Sequence, residues 1–237
     1  MDTLKINKKN VLMVAHRGLS GIETENTQCA FVAAGNRSYY GIETDVHATK
    51  DGKYVISHDE NLKRIFGADV NICDCTYEQL RKIRINTDGD TVEYTVVPSL
   101  KECLEVCKKY DKICVLELKV NFEEAQLKDI IAEVENAKMS DKIVYISFHA
   151  EALKKMRALL PNAILQFLTG EINDDTINYM VEYKLDLDCY YPSLNEENVK
   201  ILKQKGIKIN CWTVNDKTDA EKLVDLGVDF ITTNILE

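Results

Sequence analysis

A (β/α)8 barrel of the α/β class is the fold that the chain predicts, on three observations. Eight short apolar runs recur along the 237 residues, amphipathic helical segments fall between them, and polar residues gather at the carboxyl ends of the runs. A chain of this length with 45% hydrophobic residues can bury one large core, so residues 1–237 are expected to form one domain. An open doubly wound sheet is second choice, because no Gly-x-Gly-x-x-Gly follows any of the runs.

The runs, in order, are Val11 to Ala15, Tyr40 to Asp45, Ile113 to Glu117, Ile143 to Ser147, Ile164 to Leu168, Leu185 to Tyr190, Ile207 to Val214 and Asp229 to Thr232. Each is nearly continuous in apolar residues, as parallel strands covered on both faces are. Leu100, Cys103, Leu104 and Cys107 share one helical face just after Pro98, and Ser99 with Glu102 reads as a capping box. Leu127, Ile130, Ile131 and Val134 repeat the spacing, and Leu153, Met156 and Leu160 do so before Pro161. Two more helices are expected, from Asn195 to Lys205 ending at Gly206 and from Lys217 to Leu226 ending at Gly227. The segment 46–98 is too long for one loop; a hairpin at Asp51-Gly52 and a helix near Thr76 to Ile85 mark it as a small cap inserted after strand two. Because Glu237 follows closely on the eighth run, the last helix is expected to be truncated or missing.

A formal charge of −9 and a pI near 5.1 argue against nucleic acid or a stable membrane association, since the long-range field repels polyanions and anionic lipid. An anionic small molecule then needs locally placed cations. Lysines at positions 5, 8 and 9 precede an apolar run, Val11 to Ala15, far too short for a signal or a membrane span, so a cytoplasmic protein is expected. The eight cysteines form no zinc-type Cys-x-x-Cys pair, and several sit in stretches such as Ile113-Cys114-Val115-Leu116, where a thiol acts as a small buried hydrophobe in a reducing compartment.

His16 and Arg17 follow strand one, Glu43 and Asp45 end strand two, Glu117 and Lys119 end strand three, and Trp212 lies late in strand seven, all on the catalytic face of such a barrel. Glu43 and Asp45 are two apart, so their carboxylates share a side, and Glu117 arrives beside them from the adjacent strand. A hard cation such as Mg2+ or Ca2+ relieves their repulsion, whereas zinc recruits His or Cys. The bland alternative makes Glu117 and Lys119 a strand-end charge pair and Glu43 a solvated edge residue. His16 and His58 stand beside an arginine or a carboxylate, Ser57-His58-Asp59 in the second case, and suit proton transfer near neutral pH. His47 has a supporting or surface role, His149 lies in a loop, Arg17 and Lys119 can hold an anionic oxygen, and Trp212 is either core or ligand wall.

The same residues carry a family resemblance. His16-Arg17-Gly18, Glu25-Asn26-Thr27 with Ala30-Phe31, Glu43-Thr44-Asp45-Val46 with Thr49-Lys50-Asp51-Gly52, and His58-Asp59 resemble the signature of the glycerophosphodiester phosphodiesterases. The match continues through Pro98-Ser99-Leu100, Leu116-Glu117-Leu118-Lys119, Ser147-Phe148 and Cys211-Trp212-Thr213-Val214-Asn215 to Gly227-Val228-Asp229-Phe230-Ile231-Thr232. It implies a (β/α)8 barrel with a small cap. It also implies hydrolysis of glycerophosphodiesters, such as glycerophosphocholine or glycerophosphoethanolamine, to sn-glycerol 3-phosphate and an alcohol. Carried over, Glu43, Asp45 and Glu117 become ligands of one divalent cation, Mg2+ or Ca2+ with Mn2+ as a further candidate. His16 and His58 become general acid and base, Arg17 and Lys119 hold the phosphate, and Phe148 and Trp212 border the glycerol. The chain departs from the family at Thr24, where proline is usual, and at Thr233, where an acid is usual; both lie outside the proposed ligand set.

Two other functions compete. A related phosphodiesterase acting on lysophospholipids or phosphoinositides keeps the machinery but needs an apolar approach surface, and no basic amphipathic helix supplies one. A non-catalytic barrel that binds a phosphorylated metabolite is favoured only by loss of a histidine or ligand, and none is lost. An amidohydrolase is weaker still, without a His-x-His pair, and a homo-oligomer stays open.

Overall fold

The computed structural model describes residues 2–87, 90–92 and 95–237. The chain begins with β1 (Leu12–Ala15), α1 (Gln28–Gly35) and β2 (Gly41–Ala48), then enters a segment built from β3 (Tyr54–Ile56), α2 (Lys63–Phe66), α3 (Tyr77–Leu80), β4 (Ile85–Thr87) and β5 (Asp90–Val92). It returns through α4 (Leu100–Lys109) to β6 (Ile113–Leu118), α5 (Glu124–Asn136), β7 (Ile143–Ser147), α6 (Ala150–Leu159) and β8 (Ile164–Thr169). The last part alternates α7 (Asp174–Tyr183), β9 (Asp186–Tyr190), α8 (Glu196–Gln204), β10 (Ile209–Trp212), α9 (Lys217–Leu226) and β11 (Phe230–Thr233).

Eight strands, β1, β2 and β6 to β11, pair in parallel around a closed ring, which β1 completes by pairing with β11 (Leu12 opposite Phe230) and with β2 (Val14 opposite Gly41). The expected (β/α)8 barrel is therefore the fold. Side chains alternate along each strand. Met13, Ile42, Leu116, Tyr145, Leu187 and Ile231 face outward into the main core shared with the helices, while Val14, Val115, Val144, Ile146 and Leu168 fill the interior. Full burial of one such aliphatic side chain contributes about 1.5–3 kcal/mol.

Helix α4 shows how the local sequence fixes an element. Ser99 Oγ accepts from the Glu102 amide at 3.2 Å, Glu102 accepts from the Ser99 amide at 2.8 Å, and Leu100, Cys103, Leu104 and Cys107 are buried. Arg81 reaches the same Glu102 with two donors at 2.8 and 2.9 Å, tying the inserted segment to α4. That segment has its own small core of Val55, Leu62, Phe66, Ile72, Leu80, Ile85 and Val97.

Three boundaries differ from expectation. Strand β2 runs past Asp45 to Ala48, because it pairs with β3 as a hairpin, Val46 opposite Ile56. The helix expected near Thr76 to Ile85 is only the four-residue α3: the amides of Lys82 and Ile83 bond to Gln79 and Leu80 in tighter turns, and buried Ile85 begins a strand. Strand β10 starts at Ile209 rather than Ile207, whose amide closes the end of α8 on the Leu202 carbonyl at 3.0 Å. After β11, residues 234–237 form no helix, and Leu236 instead bridges to Leu4.

Candidate active site

The turn after β1 is held from three sides. The His16 amide donates to the Thr233 carbonyl at 2.9 Å, the Gly18 amide to the Glu43 carbonyl at 3.3 Å, and the Asn26 amide to the Arg17 carbonyl at 2.9 Å. Arg17 and Gly18 are left-handed, with φ of 53° and 77°. At Gly18 a Cβ would lie 2.7 Å from the backbone carbon of Ala30 in α1, so only glycine lets the helix approach. The turn thereby delivers His16 and Arg17 to the carboxyl end of the barrel.

Parallel register sets Glu117 of β6 opposite Asp45 of β2. Glu43, Asp45 and Glu117 each bring a carboxylate oxygen within 4.8 Å of the other two, and all three are buried. Glu43 accepts from the Arg17 amide at 2.8 Å, Asp45 from Asn26 Nδ2 at 2.7 Å, and Glu117 from Lys119 Nζ at 2.9 Å. Burial, reinforced by the Asp45 and Glu117 charges, pushes the Glu43 pKa well up. Burial and the Asp45 charge bring Glu117 to about 7. Asp45 meets the same burial, but Lys119, Arg17 and His58 outweigh it and hold its carboxyl below the usual range. An all-oxygen donor set, with Asp45 Oδ1 buried and without a hydrogen bond, fits a hard divalent ion.

His16 Nδ1 lies 2.7 Å from Asn234 Oδ1. Burial, with the Arg17 charge, depresses the His16 pKa to about 4, which keeps the ring neutral near pH 7. On the inserted segment, His58 Nδ1 meets Asp59 Oδ1 at 2.7 Å, and Arg64 Nε donates to Asp59 Oδ2 at 2.5 Å. Arg64 also grips Glu25 with two donors at 2.8 and 3.1 Å, and Glu25 accepts from Arg17 at 2.8 Å. A continuous ion-pair chain thus links the turn carrying His16 to the hairpin end carrying His58.

His16, Arg17, Glu43, His58, Glu117, Lys119, Phe148 and Trp212 line one cavity of about 150 Å³ at the barrel mouth. Asp45 lies beside it, 3.4 Å from Lys119 Nζ and 3.7 Å from Arg17 Nε. All nine residues singled out from the sequence therefore converge. Phe148 stands edge-on to Trp212 with ring centres 5.7 Å apart and is 48% exposed at the rim. His47 is buried behind the hairpin, its Nε2 3.4 Å from the His58 carbonyl, and His149 contacts the Lys119 carbonyl at 3.1 Å in the loop before α6. A larger hollow of about 780 Å³ between α8 and α9 is lined by Glu196, Lys200, Lys203, Lys222 and Asp225, with none of the buried unpartnered polar atoms. No role was assigned from the sequence to Asp188 or Asn234, although Asp186 and Asp188 repeat on β9 the i, i+2 spacing of Glu43 and Asp45. Asn26 and Arg64 were accessible only as motif neighbours.

The glycerophosphoryl diester phosphodiesterase family model matches residues 16–237. The chain belongs to this family and is a phosphoric diester hydrolase. It is 30% identical over 231 residues to a glycerophosphodiester phosphodiesterase of Bacillus altitudinis, covering 93% of each chain. It is 29% identical to one from Caldanaerobacter subterraneus subsp. tengcongensis, over 94% of this chain and 93% of that one. Among solved structures, an Oleispira antarctica phosphodiesterase in complex with the product sn-glycerol-3-phosphate superposes with a TM-score of 0.84 at 25% identity, covering 98% of this chain and 96% of that one. A Thermotoga maritima glycerophosphodiester phosphodiesterase superposes with a TM-score of 0.76 at 31% identity, covering 94% of each.

Proposed function

We propose that this chain hydrolyses small glycerophosphodiesters, such as glycerophosphocholine or glycerophosphoethanolamine, to sn-glycerol 3-phosphate and an alcohol. One divalent cation assists, and the observation that carries the proposal is the convergence of three buried carboxylates, two histidines and two cations on one small cavity. Glu43, Asp45 and Glu117 would hold the ion, Mg2+ or Ca2+ before Mn2+. When bound it supplies Lewis acidity toward a phosphoryl oxygen and offsets the crowding of the three acids.

Arg17 and Lys119 hold the remaining charge of the phosphodiester, which answers how so acidic a protein attracts an anion. Neutral His16 accepts the proton of the attacking oxygen, either water or the neighbouring glycerol hydroxyl. His58, supported by Asp59, donates a proton to the leaving alcohol oxygen. The segment 46–98 acts as a cap that brings His58 over the mouth, and Phe148 with Trp212 borders the glycerol. Five buried cysteine thiols suit a cytoplasmic, reducing setting, and no helix of the described residues is long and apolar enough to cross a membrane.

A panel of glycerophosphodiesters with Mg2+, Ca2+ and Mn2+, read by product identity, tests the proposal. Glycerol 3-phosphate with free alcohol is the expected pair; glycerol with a phosphoalcohol, or no product from any head group, contradicts it.

A further inference from the structure

Among the described residues, five buried side-chain polar atoms have no hydrogen-bond partner: Arg17 Nε, Tyr39 Oη, Asp45 Oδ1, Asp188 Oδ1 and Trp212 Nε1. Four of the five stand at the barrel mouth. Arg17 and Asp45 belong to the charged cluster on the β1 and β2 side. Asp188 and Trp212 lie on the adjacent strands β9 and β10, where parallel register sets Asn210 beside Asp188 and Trp212 beside Tyr190. Asp188 therefore sits one inward-facing layer below the indole.

Asp188 is 1% exposed and lines the mouth cavity together with Leu168, Ile146, Trp212 and Thr232. Its register neighbour on β8 is Leu168, so an apolar side chain is accommodated at this level of the barrel. A buried polar group left unpaired costs about 1–3 kcal/mol, and here one wall of one cavity carries two. Thr232 offers no relief, since its hydroxyl donates to Asn210 Oδ1 at 3.1 Å. Asn210, the register neighbour of Asp188, supports its carboxyl from β10, yet Asp188 Oδ1 stays unpaired, as does the Trp212 N–H, on the wall of the cavity that also holds the charged cluster.

We propose that Asp188 is a substrate-binding residue that selects the polyol half of the substrate, hydrogen-bonding a free hydroxyl of the glycerol moiety while the Trp212 N–H donates to an oxygen of the same half. The proposal rests on the phosphodiesterase reading of the mouth and extends it to specificity. A carboxyl accepts from a hydroxyl when ionised and donates to it when protonated, so the contact forms in either state. A site built to bond a hydroxyl discriminates strongly against an analogue without one, because its own polar group is then left unpaired.

The test is calorimetric binding of sn-glycerol 3-phosphate and of propyl phosphate, which has the phosphate and carbon chain but no hydroxyls, to the Ca2+-loaded wild type, Asp188→Leu and Asp188→Asn. The wild type is expected to prefer glycerol 3-phosphate by at least about tenfold. Asp188→Leu should bring the ratio close to one, and Asp188→Asn, which keeps one acceptor and adds a donor, should retain part of it. An unchanged ratio in Asp188→Leu, including an equal loss of both affinities through distortion, overturns the proposal, as does a wild type without preference. Should Asp188→Leu fail to fold, the wild type and Asp188→Asn still decide, because an Asn ratio equal to that of the wild type counts against a role for the carboxyl. Absence of glycerol 3-phosphate release from any glycerophosphodiester would defeat the proposed reaction, whereas the binding ratio judges Asp188 separately.

Discussion

Asp45 keeps its acidity although both carboxylate oxygens are buried, because Asn26, Lys119, Arg17 and His58 compensate for burial. Beside Glu43 and Glu117 the cations Arg17 and Lys119 do not outweigh burial and the neighbouring carboxylates, so both hold protons more firmly. Glu43→Gln should therefore weaken divalent-ion affinity by one to two orders of magnitude, roughly the effect of removing one anionic ligand, with the melting temperature of the ion-free protein unchanged or raised; calorimetric ion titration checks this. His16→Ala and His58→Ala should each lower kcat by about 10²–10⁴ without loss of folding. Asp59→Asn acts one contact further out: it removes the carboxylate on His58 Nδ1, so a smaller fall in kcat than in His58→Ala is expected, and an unchanged kcat would show that the contact does not matter. The charged residues of this site were legible because each sits at a strand's carboxyl end within a dense motif. Asp188 was not singled out: Asp186 and Asp188 repeat the two-residue spacing of Glu43 and Asp45, but outside any motif of the resemblance, and only the closed barrel sets Asp188 beside Trp212 and Leu168.

Among elements, the turn after β1 and helix α1 depend on one another. Gly18→Ala must accommodate a Cβ 2.7 Å from backbone at a left-handed φ of 77°, which should destabilise the protein by about 2–3 kcal/mol and reduce kcat by shifting His16 and Arg17. Denaturant unfolding and steady-state kinetics read the two effects. Arg81→Met cuts the tie between the inserted segment and α4, and should cost about 1 kcal/mol for a partly exposed bidentate pair. Its loss in kcat should track His58 rather than ion affinity. Helices with one apolar stripe and a cap, such as α4 and α9, could be placed from sequence alone. Helix α1, Gln-Cys-Ala-Phe-Val-Ala-Ala-Gly, escaped because it has almost no polar face, and α7 because its buried residues, Ile177 and Met180, make a single i, i+3 pair.

For the molecule as a whole, the proposed ion site couples ion binding to protonation and stability. Glu117, raised from 4.5 to about 7, contributes stability to the ion-free protein that is present below pH 4.5 and lost as pH rises to 7. His16, lowered from 6.5 to about 4, contributes stability present above pH 6.5 and lost as pH falls to 4. The two oppose one another between pH 4.5 and 6.5 and largely cancel, which leaves the raised Glu43 carboxyl to make ion-free stability fall as pH rises there. Ion binding needs the ionised carboxylates, so the rise in melting temperature at fixed Ca2+ should grow from pH 5.5 to 8. A rise independent of pH would mean that Glu43 and Glu117 are not ligands. The barrel order, its closure and the location of the mouth followed from periodicity and strand-end polarity, because parallel strands must be buried on both faces. The internal structure of the inserted segment did not, since its short elements depend on a second small core.

The most direct measurement is glycerol 3-phosphate release from glycerophosphocholine by enzyme stripped of ions with a chelator, before and after Mg2+ or Ca2+ is returned, for the wild type and a Glu43→Gln, Glu117→Gln double variant. The account predicts no release from the stripped wild type, recovery on adding the ion, and no recovery in the double variant. Full turnover by the stripped enzyme, or equal recovery in the double variant, would contradict it.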